Sequence, residues 1–165
     1  MRAGILTVSD RGSRGEREDA SGPALRSWLM ERGVEAVHLE VVPDEEERIS
    51  VALRKWADEE GLEIILTTGG TGVSPRDITP EATLRVVERT IPGFGERMRD
   101  KSLEKTPMAI VSRAVAGVRK QSLIINLPGS PKGAVENLEA VWEAVPHAVA
   151  KIRGDDSECV PPVVP

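Results

Sequence analysis

Among 165 residues there is one cysteine, one phenylalanine and no tyrosine. The lone Cys159 excludes an internal disulfide and a cysteine-built zinc centre. It lies in a polar C-terminal stretch and is not read as a nucleophile. No apolar run approaches the roughly 20 residues that a membrane-spanning helix requires. The apolar stretch after Met1-Arg2 is too short for a signal peptide and is soon followed by charge, so a cytoplasmic location is expected. Positive charge is also in deficit. Twenty-two Lys and Arg face 27 Asp and Glu, for a net charge of −5, which argues against a general nucleic-acid binder. Side-chain amides are nearly missing: Gln121, Asn126 and Asn137 are all there are. With abundant Arg, Glu and Pro, this is the pattern of thermostable proteins, and equally of a GC-rich genome. His38 and His147 accompany no serine or cysteine nucleophile motif, and each is read as structural or surface rather than catalytic.

What is present describes an ordinary soluble domain. Hydrophobic residues are 39% and charged residues 30%, enough for one domain, residues 1–165, with a sizeable core. Strand and helix patterns alternate, which predicts a mostly parallel sheet covered on both faces. Residues 3–9 read as the first strand and residues 10–21 as a long polar loop. Ser21-Gly22-Pro23 opens a helix, with Leu25, Trp28 and Leu29 on one face and Gly33 past its end. Residues 34–42 read as the second strand. Pro43-Asp44 leads into Glu45-Glu46-Glu47 and a helix with the stripe Ile49, Ala52, Leu53 and Trp56, ended by Gly61. Residues 63–68 are the third strand, and a helix is predicted from Pro80 to about Thr90. Residues 91–95 read as a turn and 96–104 as a short helix. Residues 113–118 allow a strand paired in a hairpin with the buried strand 122–127. A last helix is predicted over 132–152, kinked at Pro146. The tail, 154–165, reads as extended or packed on a partner.

The most informative stretch is Thr67-Thr68-Gly69-Gly70-Thr71-Gly72-Val73-Ser74-Pro75-Arg76-Asp77, lying between the third strand and a helix start. A glycine-rich strand-to-helix turn is where α/β proteins bind anions. Thr68, Gly69, Gly70, Thr71 and Gly72 are therefore candidate phosphate ligands, although a purely structural tight turn has the same composition. The stretch is not a P-loop, because Gly-x-x-x-x-Gly-Lys-Ser/Thr is absent. Loops at the carboxyl ends of parallel strands share one sheet edge, so Ser9-Asp10-Arg11, Asp44, the glycine loop through Asp77, and residues 129–132 are expected to converge. Asp44 and Asp77 near a phosphate site form a donor pair suited to Mg²⁺, which takes few protein oxygens beside phosphate and water. Asp44 equally fits a helix cap, and Asp77 half of a surface ion pair. Gly129, Ser130 and Lys132 suit an anionic ligand group, or a proline-stiffened turn with a solvated lysine.

These residues carry a family resemblance. Thr68-Gly69-Gly70-Thr71-Gly72 with Arg76-Asp77-Ile78-Thr79-Pro80-Glu81-Ala82-Thr83 resembles the molybdopterin adenylyltransferases of molybdenum cofactor biosynthesis, of the MogA/MoaB type, a domain also found at the N-terminus of gephyrin. Ser9-Asp10, Ile91-Pro92-Gly93-Phe94, Arg113-Ala114 and Leu127-Pro128-Gly129-Ser130-Pro131-Lys132 follow the family's blocks in order, over about residues 4–153. The resemblance implies a three-layer α/β/α sandwich and a homo-oligomer, usually a trimer, with a hexamer the alternative. It implies transfer of AMP from ATP to molybdopterin with Mg²⁺, and transient contact with the molybdenum insertase. It places the family's two essential aspartates on Asp44 and Asp77 and directs the pterin to residues 128–132, with Ser9 and Asp10 beside them. The readings that compete with an enzyme of this kind are a non-catalytic pterin-binding module and a nucleotide pyrophosphatase.

Overall fold

A computed structural model describes residues 1–157. Cys159 and most of the tail, with the expectations attached to them, lie outside the described residues. Six strands form one sheet: β1 (Arg2–Val8), β2 (Glu35–Val42), β3 (Ile64–Thr68), β4 (Arg89–Thr90), β5 (Ala116–Arg119) and β6 (Ser122–Leu127), in the order β2-β1-β3-β6-β5-β4. The first four of that order are mutually parallel, while β5 turns back on β6 as a hairpin and β4 pairs antiparallel with β5. The sheet is therefore mostly parallel, as the alternating pattern predicts.

The strand residues explain their places. Ile64, Ile65, Leu66, Thr67 and Thr68 are all buried, so β3 takes the centre, where both faces are covered. Alternate side chains serve opposite layers. Ile5, Leu66 and Ile125 face α2 (Ser21–Met30), α5 (Pro92–Leu103), α6 (Pro131–Val141) and α7 (Val145–Ile152) through Leu29, Met98, Leu138 and Val149. Leu6, Ile65 and Ile124 face α3 (Glu46–Arg54), the π-helical turn Lys55–Glu59 and α4 (Thr79–Leu84) through Leu53, Trp56 and Ala82. Three layers result. The buried amide of Asn126 donates to Thr67 Oγ1 on β3 (2.9 Å) and to Thr83 Oγ1 on α4 (2.8 Å), so these polar groups in an apolar surround are paired.

Several element boundaries differ from those expected. Residues 10–21 are not wholly loop: Asp10–Ser13 forms one helical turn, α1, whose Gly12 N–H donates to Ser9 Oγ. The helix expected from Pro80 to about Thr90 stops at Leu84. Beyond it the Glu88 and Ile91 amides find the carbonyls of Val118 and Ala116 on the sheet edge, and Arg89–Thr90 becomes a strand. The following helix begins at Pro92, inside the segment read as a turn, because proline suits a first helical turn. Of residues 113–118 only the last three are strand, and Pro107–Val111 is a 3₁₀ turn. The final helix is broken rather than kinked. A 3₁₀ segment, Trp142–Ala144, separates α6 from α7, and Pro146 sits in the first turn of α7, where its missing N–H costs nothing.

Candidate active site

Four loops leave the carboxyl ends of β1, β2, β3 and β6 along one sheet edge, the position where open α/β sheets bind ligands. They enclose a cleft of about 440 Å³. The glycine loop can enter it only because of its backbone. Gly69 and Gly70 have φ of +101° and +64°. A Cβ on Gly69 would lie 2.3 Å from the Val8 carbonyl oxygen, and one on Gly70 would lie 2.3 Å from Thr79 Oγ1. No side chain fits at either position, so the loop backbone itself lies against Asp44, whose Oδ1 is 3.1 Å from where a Gly70 Cβ would be.

Side-chain bonds tie the loops together. The Thr68 hydroxyl donates to the Pro128 carbonyl (2.7 Å), joining the β3 and β6 loops. The Thr79 hydroxyl donates to the Gly69 carbonyl (2.9 Å). Asp10 and Asp44 clasp each other: the Asp10 N–H donates to Asp44 Oδ2 (2.7 Å) and the Asp44 N–H to Asp10 Oδ1 (3.0 Å). Arg76 completes the knot with a forked bond to Asp10, at 2.9 and 2.8 Å. Asp44 is therefore not a helix cap. The N-cap of α3 is Glu45, and no side chain bonds there. Asp77 accepts the Ser74 N–H at 2.8 Å.

Ser9, Asp44, Thr68, Gly69, Gly70, Asp77, Gly129 and Ser130 line this cleft together. Four expected ligands stand elsewhere. Asp10 has its carboxylate occupied by Arg76 and the Asp44 amide. Thr71 and Gly72 open onto a neighbouring hollow of about 310 Å³ with Pro128, Ser130, Arg99, Met108 and Val111. Lys132 is 86% exposed, and its amine lies 4.0 Å from Glu136. Three charged cleft residues, Arg17, Glu18 and Asp19, escaped sequence reasoning. Arg17 is the one cation among the lining residues, and Asp19 holds Thr7 Oγ1 (2.8 Å) and the Ser21 and Gly22 amides at the start of α2. Asp19 two residues before Ser21-Gly22-Pro23 is a capping signature that could have located it; a lone arginine in a polar loop carries no such signal.

The two clasped aspartates differ electrostatically. Burial pushes the Asp44 carboxyl above its ordinary value, and the charges of Asp10 and Asp77 push the same way. Arg76 holds Asp10 below its ordinary value. Asp44 and Asp77 thus face one cleft as carboxylates close enough to feel each other. Hard oxygen donors of this kind fit Mg²⁺, which completes its shell with phosphate oxygens and water. No group of three or more His, Cys, Asp or Glu suited to a metal occurs among the described residues.

A family described as "Probable molybdopterin binding domain" matches residues 4–147. The chain is 45% identical to a molybdopterin adenylyltransferase of Haemophilus influenzae, over 93% of this chain and 85% of that protein. The chain belongs to the molybdopterin adenylyltransferase family. The corresponding enzyme of Escherichia coli K12 is 43% identical over 99% of this chain and 91% of its own length. Among solved structures, the molybdopterin biosynthesis enzyme MoaB from Thermus thermophilus superposes with a TM-score of 0.88 at 56% identity, covering 93% of this chain and 96% of that one.

Proposed function

We propose that this chain catalyses adenylyl transfer from ATP to molybdopterin, releasing pyrophosphate, in molybdenum cofactor biosynthesis. The observation that carries the reading is the convergence of Asp44 and Asp77 with the Gly69-Gly70 turn and the Gly129-Ser130 loop in one cleft. The terminal phosphate of molybdopterin forms a bond to the α-phosphorus of ATP as the bond to the β-phosphate oxygen breaks. Such chemistry asks the protein mainly to position and to neutralise charge. Asp44 and Asp77 would hold Mg²⁺, which offsets the negative charge of the phosphates. The Gly69-Gly70 backbone offers the close approach that phosphate oxygens require. Thr68 contributes by fixing that backbone, since its proton is committed to Pro128. Arg17 supplies cationic charge at the cleft wall, and Lys132, outside that wall, stands free to swing toward the ligand's phosphate. Gly129 and Ser130, with Ser9 opposite, receive the pterin phosphate. Ser130 lines both the cleft and the adjoining hollow, so a ligand spanning the two passes over it.

We further infer a cytoplasmic homo-oligomer, with a trimer preferred. Met108 and Ile110 stand 68% and 66% exposed within the five-residue turn Pro107–Val111, an apolar face suited to a second copy of the chain. No helix among the described residues is long and apolar enough to cross a membrane. Incubating the protein with ATP, Mg²⁺ and molybdopterin tests the activity. Stoichiometric pyrophosphate and adenylylated molybdopterin are expected. Pterin binding without product would make the chain a binding module, and pyrophosphate without pterin a pyrophosphatase.

A further inference from the structure

The segment before β5 carries a residue that touches the glycine loop at three places and α4 at a fourth. The Arg113 N–H donates to the Thr71 carbonyl (2.9 Å). Its Nε donates to the Gly72 carbonyl (2.7 Å) and its Nη2 to the Asp77 carbonyl (2.7 Å). Its Nη1 pairs with Glu81 of α4. One side chain thus spans both ends of residues 73–76, the exposed tip of the loop, where Val73 is 67% exposed. The tip has little packing of its own. Its other internal bonds are the exchange between Ser74 and Asp77: Asp77 N–H to the Ser74 carbonyl, and Ser74 N–H to the Asp77 carboxylate.

We propose that Arg113 is the positioning residue of Asp77: it fixes the Asp77 backbone relative to Gly72 and so sets where the Asp77 carboxylate meets the metal and phosphates. The inference rests on the adenylyl-transfer reading for its catalytic consequence, but the clamp is a property of the protein without substrates. The guanidinium is required rather than any cation. Its acceptors lie in three directions, and only a planar fork with several donors reaches Gly72, Asp77 and Glu81 together. A lysine keeps the charge and the pairing with Glu81 while losing the span. The contact acts on geometry rather than stability, because the Arg113 and Glu81 side chains are 36% and 41% exposed and an ion pair so exposed contributes little to folding.

The test is Arg113→Lys, with Glu81→Gln as a second variant that loosens the same clamp from its other end. Hydrogen exchange of the amides of residues 70–78 in the substrate-free protein is expected to quicken about tenfold or more in Arg113→Lys, the effect of losing one to two bonds to a charged donor, while β3 and β6 amides stay as in wild type. ATP binding is expected to need about tenfold more Mg²⁺ for half-saturation, with molybdopterin affinity unchanged. Glu81→Gln should move both readouts the same way by less. Unaltered loop exchange together with unaltered Mg²⁺ dependence would overturn the proposal. So would equal quickening in β3, which would make Arg113 an ordinary stabilising contact. If wild type binds Mg²⁺ and ATP yet makes no adenylylated product, the adenylyl-transfer reading falls while the exchange result still decides the clamp.

Discussion

On one side of the loop formed by Pro128, Gly129 and Ser130 lies a cleft walled by Asp44, Asp77, hydroxyls and bare backbone; on the other lies a hollow walled by Met108, Ala109 and Val111. Both are open, and they share Ser130. They differ in what holds them. The cleft is knotted by Asp10, Arg76, Thr68 and Thr79, whose bonds run from loop to loop. The hollow's outer wall is a 3₁₀ turn whose apolar side chains face outward. A site for phosphoryl chemistry must be preorganised before substrate arrives, because its charged groups work only where they already stand. A surface meant to meet another apolar surface needs only to be apolar.

Removing charge from the cleft should separate the two regions most strongly. Asp77→Asn is expected to lower kcat by about 10³-fold, the loss of several kcal/mol of charge stabilisation, with molybdopterin affinity kept. Wild-type turnover in steady-state assays of that variant would refute its role. Asp44→Asn should cost activity to a similar or smaller degree and raise Tm. The sign follows from burial, which raises the folded-state pKa of Asp44. The folded protein then binds the proton more tightly than the unfolded chain. Stability is therefore lost as pH climbs from the ordinary aspartate value through the raised one, and the deficit persists above it. An asparagine removes that deficit, so thermal melts of variant and wild type should converge at low pH and part at neutral pH. The same raised carboxyl predicts that kcat/KM falls on the acid side earlier than for an ordinary aspartate.

Arg17→Ala is a milder cut into the same cleft. It should raise KM for the anionic substrates about tenfold, as for loss of one charge-assisted hydrogen bond, with kcat little changed. The hollow's wall should respond in the opposite sense. Ile110→Asp with Met108→Asp is expected to dissociate the oligomer in light scattering while leaving the cleft's metal dependence intact. A monomer in wild type, or loss of Mg²⁺-dependent ATP binding in the double variant, would erase the distinction between the two regions.

How much of this was legible follows from which interactions are local. The parallel core was, because the short β-branched apolar runs around Ile64, Ile65 and Leu66 and around Leu123, Ile124 and Ile125, each followed by a glycine-containing turn, favour buried strands. The convergence of Asp44, Gly69, Gly70, Asp77 and Ser130 was also legible, because carboxyl-edge geometry follows from parallel strands alone. Helix ends were less so. Residues 85–90 were expected to continue the helix from Pro80, yet Val86, Val87 and Thr90 are β-branched and suit a strand, and pairing with β5, distant in sequence, draws Arg89–Thr90 into the sheet. Asp10 illustrates the same limit in the site. Its type and position suit a ligand, yet Arg76, 66 residues away, takes both of its oxygens. Arg113 was visible as part of a motif but not as a clamp, since its four partners lie 32 to 42 positions back along the chain.

The absence of tyrosine makes the protein's ultraviolet emission a property of three tryptophans. The two helical layers divide them. Trp56, fully buried, lies against β1 so closely that a Cβ on Gly4 would stand 2.7 Å from its ring, and it stacks on His38 at 5.3 Å. In the opposite layer Trp28 meets Trp142 edge-on at 5.0 Å, with Arg32 over its face at 3.5 Å. Each face of the sheet therefore carries its own optical reporter. Trp56→Phe would leave a signal from the layer of α2 and α6, and the double Trp28→Phe, Trp142→Phe change would leave one from the layer of α3. The order in which the two coverings detach from the sheet during unfolding becomes readable without any added label.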